Sequence, residues 1–377
     1  MTTVPETTSH VPFLDLGLAH ADLRTEVLES IVQVIDSSAF VNGAPVREFE
    51  ERWAAWCAVE HCVGLASGLD ALRLGLAALG IGPGDEVIVP AMTFVATWEA
   101  VSQVGATPVP VDVSEQDYCL DVEAVADQIG PRTRAILPVH LYGQMAAVTE
   151  VLALAERYDL VVLEDAAQAH GADRDSVRAG AAGHAAAFSF YPGKNLGAFG
   201  DAGALVTRDA GLARRVRALR EHGQERKYHH DEIGWTARLD TIQAAVLLHK
   251  LERLEAWNDD RRACAARYDA ALGGVGDLVL PPVAPGSTPV WHLYVVRTSD
   301  PDGLARFLSE RGVVCGRHYP EPPHLSGAYA SLGYSEGAFP VAEAIGRQCL
   351  SLPLFPGMCE RQTELVAEGL KAWFVGA

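Results

Sequence analysis

The stretch Phe188–Gly203, FSFYPGKNLGAFGDAG, decides the reading of this chain. Just upstream, Ala185–Phe190 (AAAFSF) is short, apolar and β-compatible, and Pro192-Gly193 ends it at once. Lys194 is thus pinned between a strand-like run and a glycine-rich turn. An ammonium held there among apolar neighbours is partly desolvated, which lowers its pKa and frees the amine to attack a carbonyl. A lone lysine is more often a surface loop residue. Here lysine is scarce (Lys194, Lys227, Lys250 and Lys371), and arginine supplies most of the positive charge.

A second stretch extends the argument. Leu160–Asp165 (LVVLED) reads as a buried strand ending in two carboxylates. In a parallel α/β sheet, ligands sit outside the carboxyl ends of the strands. Asp165 therefore falls where a carboxylate can meet a bound cofactor, with Gln168 three residues on. A carboxylate for a pyridine nitrogen, together with a lysine amine for a Schiff base, is what proteins contribute to pyridoxal 5′-phosphate (PLP) chemistry.

Around these two stretches the chain alternates. Seven β-like segments are predicted: Cys62–Ala66, Glu86–Pro90, Pro108–Val113, Ala135–Val139, Leu160–Glu164, Ala185–Phe190 and Gly203–Thr207. Helical patterns follow several of them, at Ala71–Leu79, Val95–Val104, Val122–Ile129 and Val148–Tyr158. Such alternation means an α/β fold with a mostly parallel sheet. Gly203–Thr207 follows the lysine loop without an intervening helix and is the candidate antiparallel member. Earlier, Leu23–Ile35 and Val46–Trp56 read as helices. Beyond the sheet, Thr241–Trp257 reads as a long helix that breaks at Asn258-Asp259-Asp260 and resumes over Arg261–Leu272. A strand at Trp291–Arg297 and helices at Leu304–Arg311 and Thr363–Phe374 complete the pattern. We place a boundary near residue 250, giving a large domain over 1–250 and a small C-terminal α/β domain over 251–377.

Composition narrows the class. With 377 residues, 49% hydrophobic and 21% charged, the chain is long enough for two domains with a sizeable core. A net charge of −19 argues against a general nucleic-acid or anionic-membrane surface. The seven cysteines are scattered, odd in number and without a C-x-x-C pair, as expected of mostly buried reduced thiols. Residues 1–12 are polar and read as frayed, with no leader pattern, and no apolar run reaches membrane-spanning length. The expectation is a cytoplasmic enzyme.

The long motifs resemble those of one family, the DegT/DnrJ/EryC1/StrS sugar aminotransferases of PLP fold type I. The matching pieces are EDAAQAHGA at Glu164–Ala172, FSFYPGKNLGAFGDAG, and GWTARLDTIQAAVL at Gly234–Leu247. The resemblance implies a seven-stranded large domain, PLP carried by Lys194, and Asp165 on the ring nitrogen. It also implies L-glutamate as amino donor and a nucleotide-linked, dTDP-type deoxyhexose with a 3- or 4-keto group as acceptor. A keto-cyclitol acceptor, or a non-catalytic regulatory role, are the alternatives. The dehydratase branch of the family has histidine where this chain has Lys194.

Other residues take roles by the same resemblance. Ser67-Gly68-Leu69-Asp70 is a plain N-cap by itself, but the family holds the cofactor phosphate there, at Gly68 and Leu69, with the Ser189 hydroxyl. Phe94 is either core packing or the aromatic stacked on the cofactor ring. Gln168 is either structural or the glutamine beside the ring. Asn42, Tyr228, His229, His318 and Tyr319 are candidate substrate contacts. The cluster at His222, Lys227, Tyr228, His229 and His230 otherwise reads as a solvated loop, and its spacing does not suit a metal. His140 and His184 read as ordinary strand-edge histidines. One departure stands out: where the family has G-[YFW]-N-x-R, this chain has Gly234-Trp235-Thr236-Ala237-Arg238. Thr236 and Arg238 are expected to reach the neighbouring subunit's cofactor in a homodimer. Thr236 has a shorter reach than Asn, and Arg238 has the alternative of a loop ion pair.

Overall fold

A computed structural model describes residues 10–375; residues 1–9, which hold most of the polar N-terminal stretch, and 376–377 lie outside the described residues. Seven strands form one sheet: β1 (His61–Leu65), β2 (Glu86–Pro90), β3 (Thr107–Val111), β4 (Thr133–Ile136), β5 (Val161–Asp165), β6 (Ala185–Ser189) and β7 (Gly203–Thr207). Their spatial order is β1-β7-β6-β5-β4-β2-β3. The pairs β2–β3, β2–β4, β4–β5 and β5–β6 are parallel, whereas β7 runs antiparallel to both β6 and β1. The anticipated reversal of Gly203–Thr207 is therefore observed. Strands covered on both faces need apolar residues at nearly every position. Accordingly Val162, Leu163, Ala186, Ala187 and Phe188 are all buried.

Helices form much as the periodicity predicts, with boundaries moved by at most three residues, at Arg24–Ser37, Ala44–Trp56, Gly68–Ala78, Ala96–Gln103, Val122–Gln128 and Val148–Tyr158, and the helix Ala210–Arg220 follows β7. One expected break is misplaced. The long helical region runs as Thr241–Leu251 and Leu254–Leu272, interrupted at Glu252–Arg253 and not at Asn258-Asp259-Asp260. Asn258 is fully buried inside the second helix, where Nδ2 donates to the His170 carbonyl at 2.8 Å and Oδ1 accepts from Asn195 Nδ2 at 2.9 Å. Its polarity serves a bridge to the lysine loop.

A separate apolar cluster gathers Cys264, Tyr268 and Leu272 with Tyr294, Leu304, Leu350 and Val366. Two antiparallel strands, Tyr294–Arg297 and Cys349–Leu352, run through it. Val11 joins the same cluster, bridged to Val313. The helix Pro340–Gln348 has no counterpart in the sequence reading. It is fixed by Asp112, just past the end of β3, whose carboxylate accepts from the N–H groups of Val341 and Ala342, both at 2.9 Å. A carboxylate at a helix start satisfies free N–H groups and opposes the helix dipole. Among the described residues, no helix is long and apolar enough to cross a membrane.

Candidate active site

The carboxyl ends of β1, β2, β5 and β6 open on one cavity of about 530 Å³. Gly68, Leu69, Phe94, Asp165, Gln168, Ser189, Lys194, His318 and Tyr319 all line it. Nine of the residues singled out from the sequence are thus brought together.

The loop after β6 holds Lys194 rigidly. Its N–H donates to the Tyr191 carbonyl at 2.8 Å, the Ala198 N–H to Phe190 at 2.8 Å, and the Phe199 N–H to Gln243 Oε1 at 2.8 Å. Beside it, Asn195 is clamped to Asn258 Oδ1 and the Val290 carbonyl, each at 2.9 Å. The Lys194 side chain is half-buried, and its amine finds no hydrogen-bond partner among the described residues. Burial pushes its pKa down to about 8, against the attraction of Asp165.

Asp165 ends β5 with its carboxylate buried. Burial raises its pKa, and hydrogen bonds from Thr97 and the Ala167 N–H work the other way. Thr97 Oγ1 donates to Oδ2 at 2.8 Å and Thr93 Oγ1 lies 2.7 Å from Thr97 Oγ1, a pair that the sequence reading missed. One residue earlier, Glu164 is fully buried and accepts from His140 Nε2 at 2.8 Å, Gly183 N–H at 2.7 Å and Gly180 N–H at 3.0 Å. His140 is therefore no strand-edge histidine. It is completely enclosed, with Nδ1 accepting from the Ala146 N–H at 3.2 Å, which leaves Nε2–H to donate to Glu164.

Opposite this acidic floor, Ser67 caps the helix Gly68–Ala78 by accepting from the Asp70 N–H at 3.0 Å. The N–H groups of Gly68 and Leu69 donate to no group among the described residues. A side chain at Gly68 would meet Ser189 Cβ at 2.7 Å, so glycine lets β6 come this close. Gly203, at the start of β7, is equally constrained, because a Cβ there would strike the Ser67 carbonyl. Free N–H groups at a helix start, beside a serine hydroxyl, form an anion cradle.

The upper wall is a chain of hydrogen bonds. Gln168 Oε1 accepts from the Tyr142 N–H at 2.7 Å, and Nε2 donates to Tyr319 Oη at 3.0 Å. Tyr142 Oη in turn donates to the His318 carbonyl. Phe94 is 51% exposed at the cavity mouth, its ring 5.4 Å from that of Tyr319, so it is not core packing. Three buried or partly buried imidazoles, His170, His292 and His318, feel the charge of Lys194, and the last two line the cavity with it. Burial first, and Lys194 second, hold all three well below their usual pKa and hence neutral. Only His318 was anticipated. His170 donates from Nε2 to the Ser189 carbonyl at 2.9 Å.

Five anticipated residues do not reach this cavity within the chain. Arg238 Nη1 pairs with Glu221 Oε2 at 2.9 Å, and Asn42 Nδ2 donates to Glu221 Oε1 at 2.8 Å. Thr236 Oγ1 lies 3.1 Å from His222 Nε2. Tyr228 is 79% exposed and His229 is exposed, both in the hairpin spanning 224–230. The Arg238 ion pair is the alternative raised from the sequence. Among the described residues, no group of three or more His, Cys, Asp or Glu side chains is arranged to hold a metal ion.

Comparison with known proteins agrees with this geometry. The DegT/DnrJ/EryC1/StrS aminotransferase family matches residues 21–371. Over 366 residues the chain is 50% identical to a dTDP-3-amino-3,4,6-trideoxy-alpha-D-glucose transaminase of Streptomyces venezuelae, covering 97% of each chain. It is 49% identical over 362 residues to the erythromycin biosynthesis sensory transduction protein EryC1 of Saccharopolyspora erythraea, covering 96% of this chain and 99% of that one. The crystal structure of S. venezuelae DesV in complex with a ketimine intermediate superposes with a TM-score of 0.95 at 50% identity, covering 97% of this chain and 99% of that one. The chain belongs to the DegT/DnrJ/EryC1/StrS aminotransferase family.

Proposed function

We propose that this protein is a PLP-dependent aminotransferase that moves the amino group of L-glutamate to the 3-keto carbon of a dTDP-linked deoxyhexose. One observation carries the reading: an unpartnered lysine amine and a buried, hydrogen-bonded carboxylate face one cavity at the carboxyl edge of a parallel sheet. The nucleotide and the carbon position are supported by the 50% identical transaminase.

The cavity suits the cofactor. Lys194 would carry it, Asp165 would pair with its ring nitrogen, and the N–H groups of Gly68 and Leu69 with the Ser189 hydroxyl would take its phosphate. Phe94 and Gln168 would flank the ring. When bound, PLP supplies an electron sink for charge left on carbon after proton removal. The chain's own residues do the rest. Asp165 keeps a proton at the ring nitrogen, and its Thr97 bond fixes the carboxylate's direction. Lys194 Nζ, neutral above about pH 8, takes the proton from the amine-bearing carbon. The neutral state of His170, His292 and His318 avoids adding positive charge around that amine.

The working unit in this proposal is a homodimer in which Thr236, Arg238, Tyr228 and His229 serve the neighbouring site. Leu28, Val32 and Ile35, each about half exposed, form a stripe on the helix Arg24–Ser37, continued by exposed Phe40 and Val41. A second copy is the natural cover for such a stripe. Within each subunit we propose a PLP-binding domain over 1–250 and a smaller domain over 251–377. The decisive experiment incubates the purified protein with L-glutamate and dTDP-linked 3-keto and 4-keto hexoses, with product structure read by mass and NMR. An amine at C3 is expected; conversion of neither sugar overturns the proposal.

A further inference from the structure

Lys250 is a second buried lysine, only 3% exposed, in the last turn of the helix Thr241–Leu251. Its Nζ donates to the Gly197 carbonyl, three residues past Lys194. An ammonium has no lone pair, so its other close partner, His20 Nε2 at 3.1 Å, is the acceptor. The rings of Phe199 and Trp257 lie 5.6 Å and 5.8 Å from Nζ. Burial lowers the Lys250 pKa to about 8, with no carboxylate nearby to oppose it, and at neutral pH the group is still mostly charged. Ring faces and the carbonyl end of its own helix are what favour a cation there. His20 is held near pKa 4 by burial and by Lys250, against the pull of Asp15, so it stays neutral and able to accept.

The carbonyl that Lys250 grips belongs to the lysine loop. Two residues on, the Phe199 N–H is held by Gln243 Oε1 at 2.8 Å. Gln243 and Lys250 are seven residues apart, about two turns, and so share one helix face that splints the loop. Gly197 packs so closely on Pro192 that a Cβ would strike the Pro192 carbonyl, so a shift of Gly197 must move the turn that carries Lys194. The Lys194 pKa responds to burial and to Asp165, and Lys250 does not line the cavity. Lys250 therefore acts through the backbone. We propose that Lys250, aimed by His20, is a positioning residue that fixes the Gly197 carbonyl and thereby the backbone from which Lys194 reaches the donor carbon. The inference rests on the aminotransferase reading above.

Lys250→Met keeps the apolar stem and removes the donor. In cofactor-free protein, amide hydrogen exchange over residues 194–199 should quicken by roughly tenfold or more in the variant, the effect of losing a charge-assisted bond. Exchange in β4 and β5 should stay as in the parent. In the PLP-loaded protein, the rate constant of the half-reaction with L-glutamate should fall roughly ten- to a hundredfold, the cost of misplacing a reacting group. The Kd for L-glutamate should stay within about twofold, since no uniform binding is removed. With glutamate deuterated at Cα, the isotope effect on that rate should rise as proton transfer slows. Lys250→Arg, which keeps a charged donor, should recover part of the rate. Unchanged loop exchange, or instability spread through the protein with a normal rate per folded molecule, would make Lys250 a packing cation and overturn the proposal. Should both Lys250 variants fail to fold, His20→Leu decides: it should slow the same half-reaction and loosen the same loop by a smaller factor, and parent-like values for both overturn the proposal. A wild-type protein that takes up no cofactor, or does not react with glutamate, sinks the aminotransferase reading instead, and loop exchange in the cofactor-free protein still tests the grip of Lys250.

Discussion

Thr97 donates its hydroxyl hydrogen to Oδ2 of Asp165 across 2.8 Å, and both side chains are buried. The bond opposes the burial that pushes the Asp165 pKa upward. Thr97→Val keeps the shape and removes the donor. Asp165 should then take up a proton at higher pH, and the acidic limb of the pH–turnover profile should move up by roughly one to two units, the equivalent of a lost bond to a charged group. Asp165→Asn should lower turnover by about ten- to a hundredfold or more, with much less effect on cofactor affinity. An unmoved acidic limb in Thr97→Val, or near-normal turnover in Asp165→Asn, would remove this pair from the electronic role.

Lys194 yields a prediction with a pH sign. Its pKa is lowered to about 8 by burial, so in cofactor-free protein the amine is neutral above that pH. The rate of recombination with PLP should therefore climb through pH 8 and level off, where an ordinary exposed lysine would still be climbing near its own pKa of about 10.4. Because the folded state holds this proton less tightly than the unfolded one, cofactor-free protein should also gain stability as pH rises above about 8. Borohydride should bleach the yellow colour and leave the cofactor on the peptide containing Lys194. A label on another lysine would refute the assignment.

The sequence carried the sheet well because its strands are buried on both faces, and runs such as VVLED and AAAFS admit little else. Lys194, Asp165 and the Ser67-Gly68 turn were legible for a related reason: each stands at a strand end, where local punctuation marks the site. What escaped notice depends on distance in three dimensions. Thr97 matters only because the turn of its helix meets β5. Asn258 read as a helix breaker, since nothing nearby in sequence reveals that its partners are Asn195 and His170. His140 looked peripheral because Glu164, its partner, lies 24 residues away. The helix Pro340–Gln348 was missed because its cap, Asp112, comes from the far side of the chain.

The His140–Glu164 pair should be a stability element that acts apart from the chemistry. Burial raises the Glu164 pKa, but the His140 bond and the Gly183 and Gly180 N–H groups outweigh it and hold the carboxyl below its usual range. That contribution is fully present above the unfolded-state carboxyl pKa and is lost as pH falls through the lowered folded value. Losing a hydrogen bond to a buried charged group typically destabilises by about 1.5–3 kcal/mol. His140→Ala should show this in denaturant unfolding at neutral pH, with the loss shrinking in acid. A variant as stable as the parent would mean that the backbone N–H groups of Gly180, Ala182 and Gly183 suffice for Glu164.

Thr236 and Arg238 bear on how many chains build one site. Within the subunit they face His222 and Glu221, away from the cavity, so any role with the cofactor must be played across a dimer interface. Thr236 offers one neutral hydrogen bond, worth about 0.5–1.5 kcal/mol, or at most roughly tenfold in PLP affinity. Thr236→Ala should weaken PLP binding by no more than that, and Thr236→Asn, with longer reach, should match or exceed the parent. The sharper experiment mixes two inactive proteins, Lys194→Ala and a Thr236→Ala/Arg238→Ala double variant. If the sites are shared, a hybrid dimer combines one intact lysine with the intact loop of its neighbour, and activity should return as subunits exchange. The Arg238–Glu221 ion pair supplies the opposing outcome: if Arg238 only braces its own loop, Glu221→Gln should mimic Arg238→Ala. Confirmed hybrids should then stay inactive, and each chain would build its site alone.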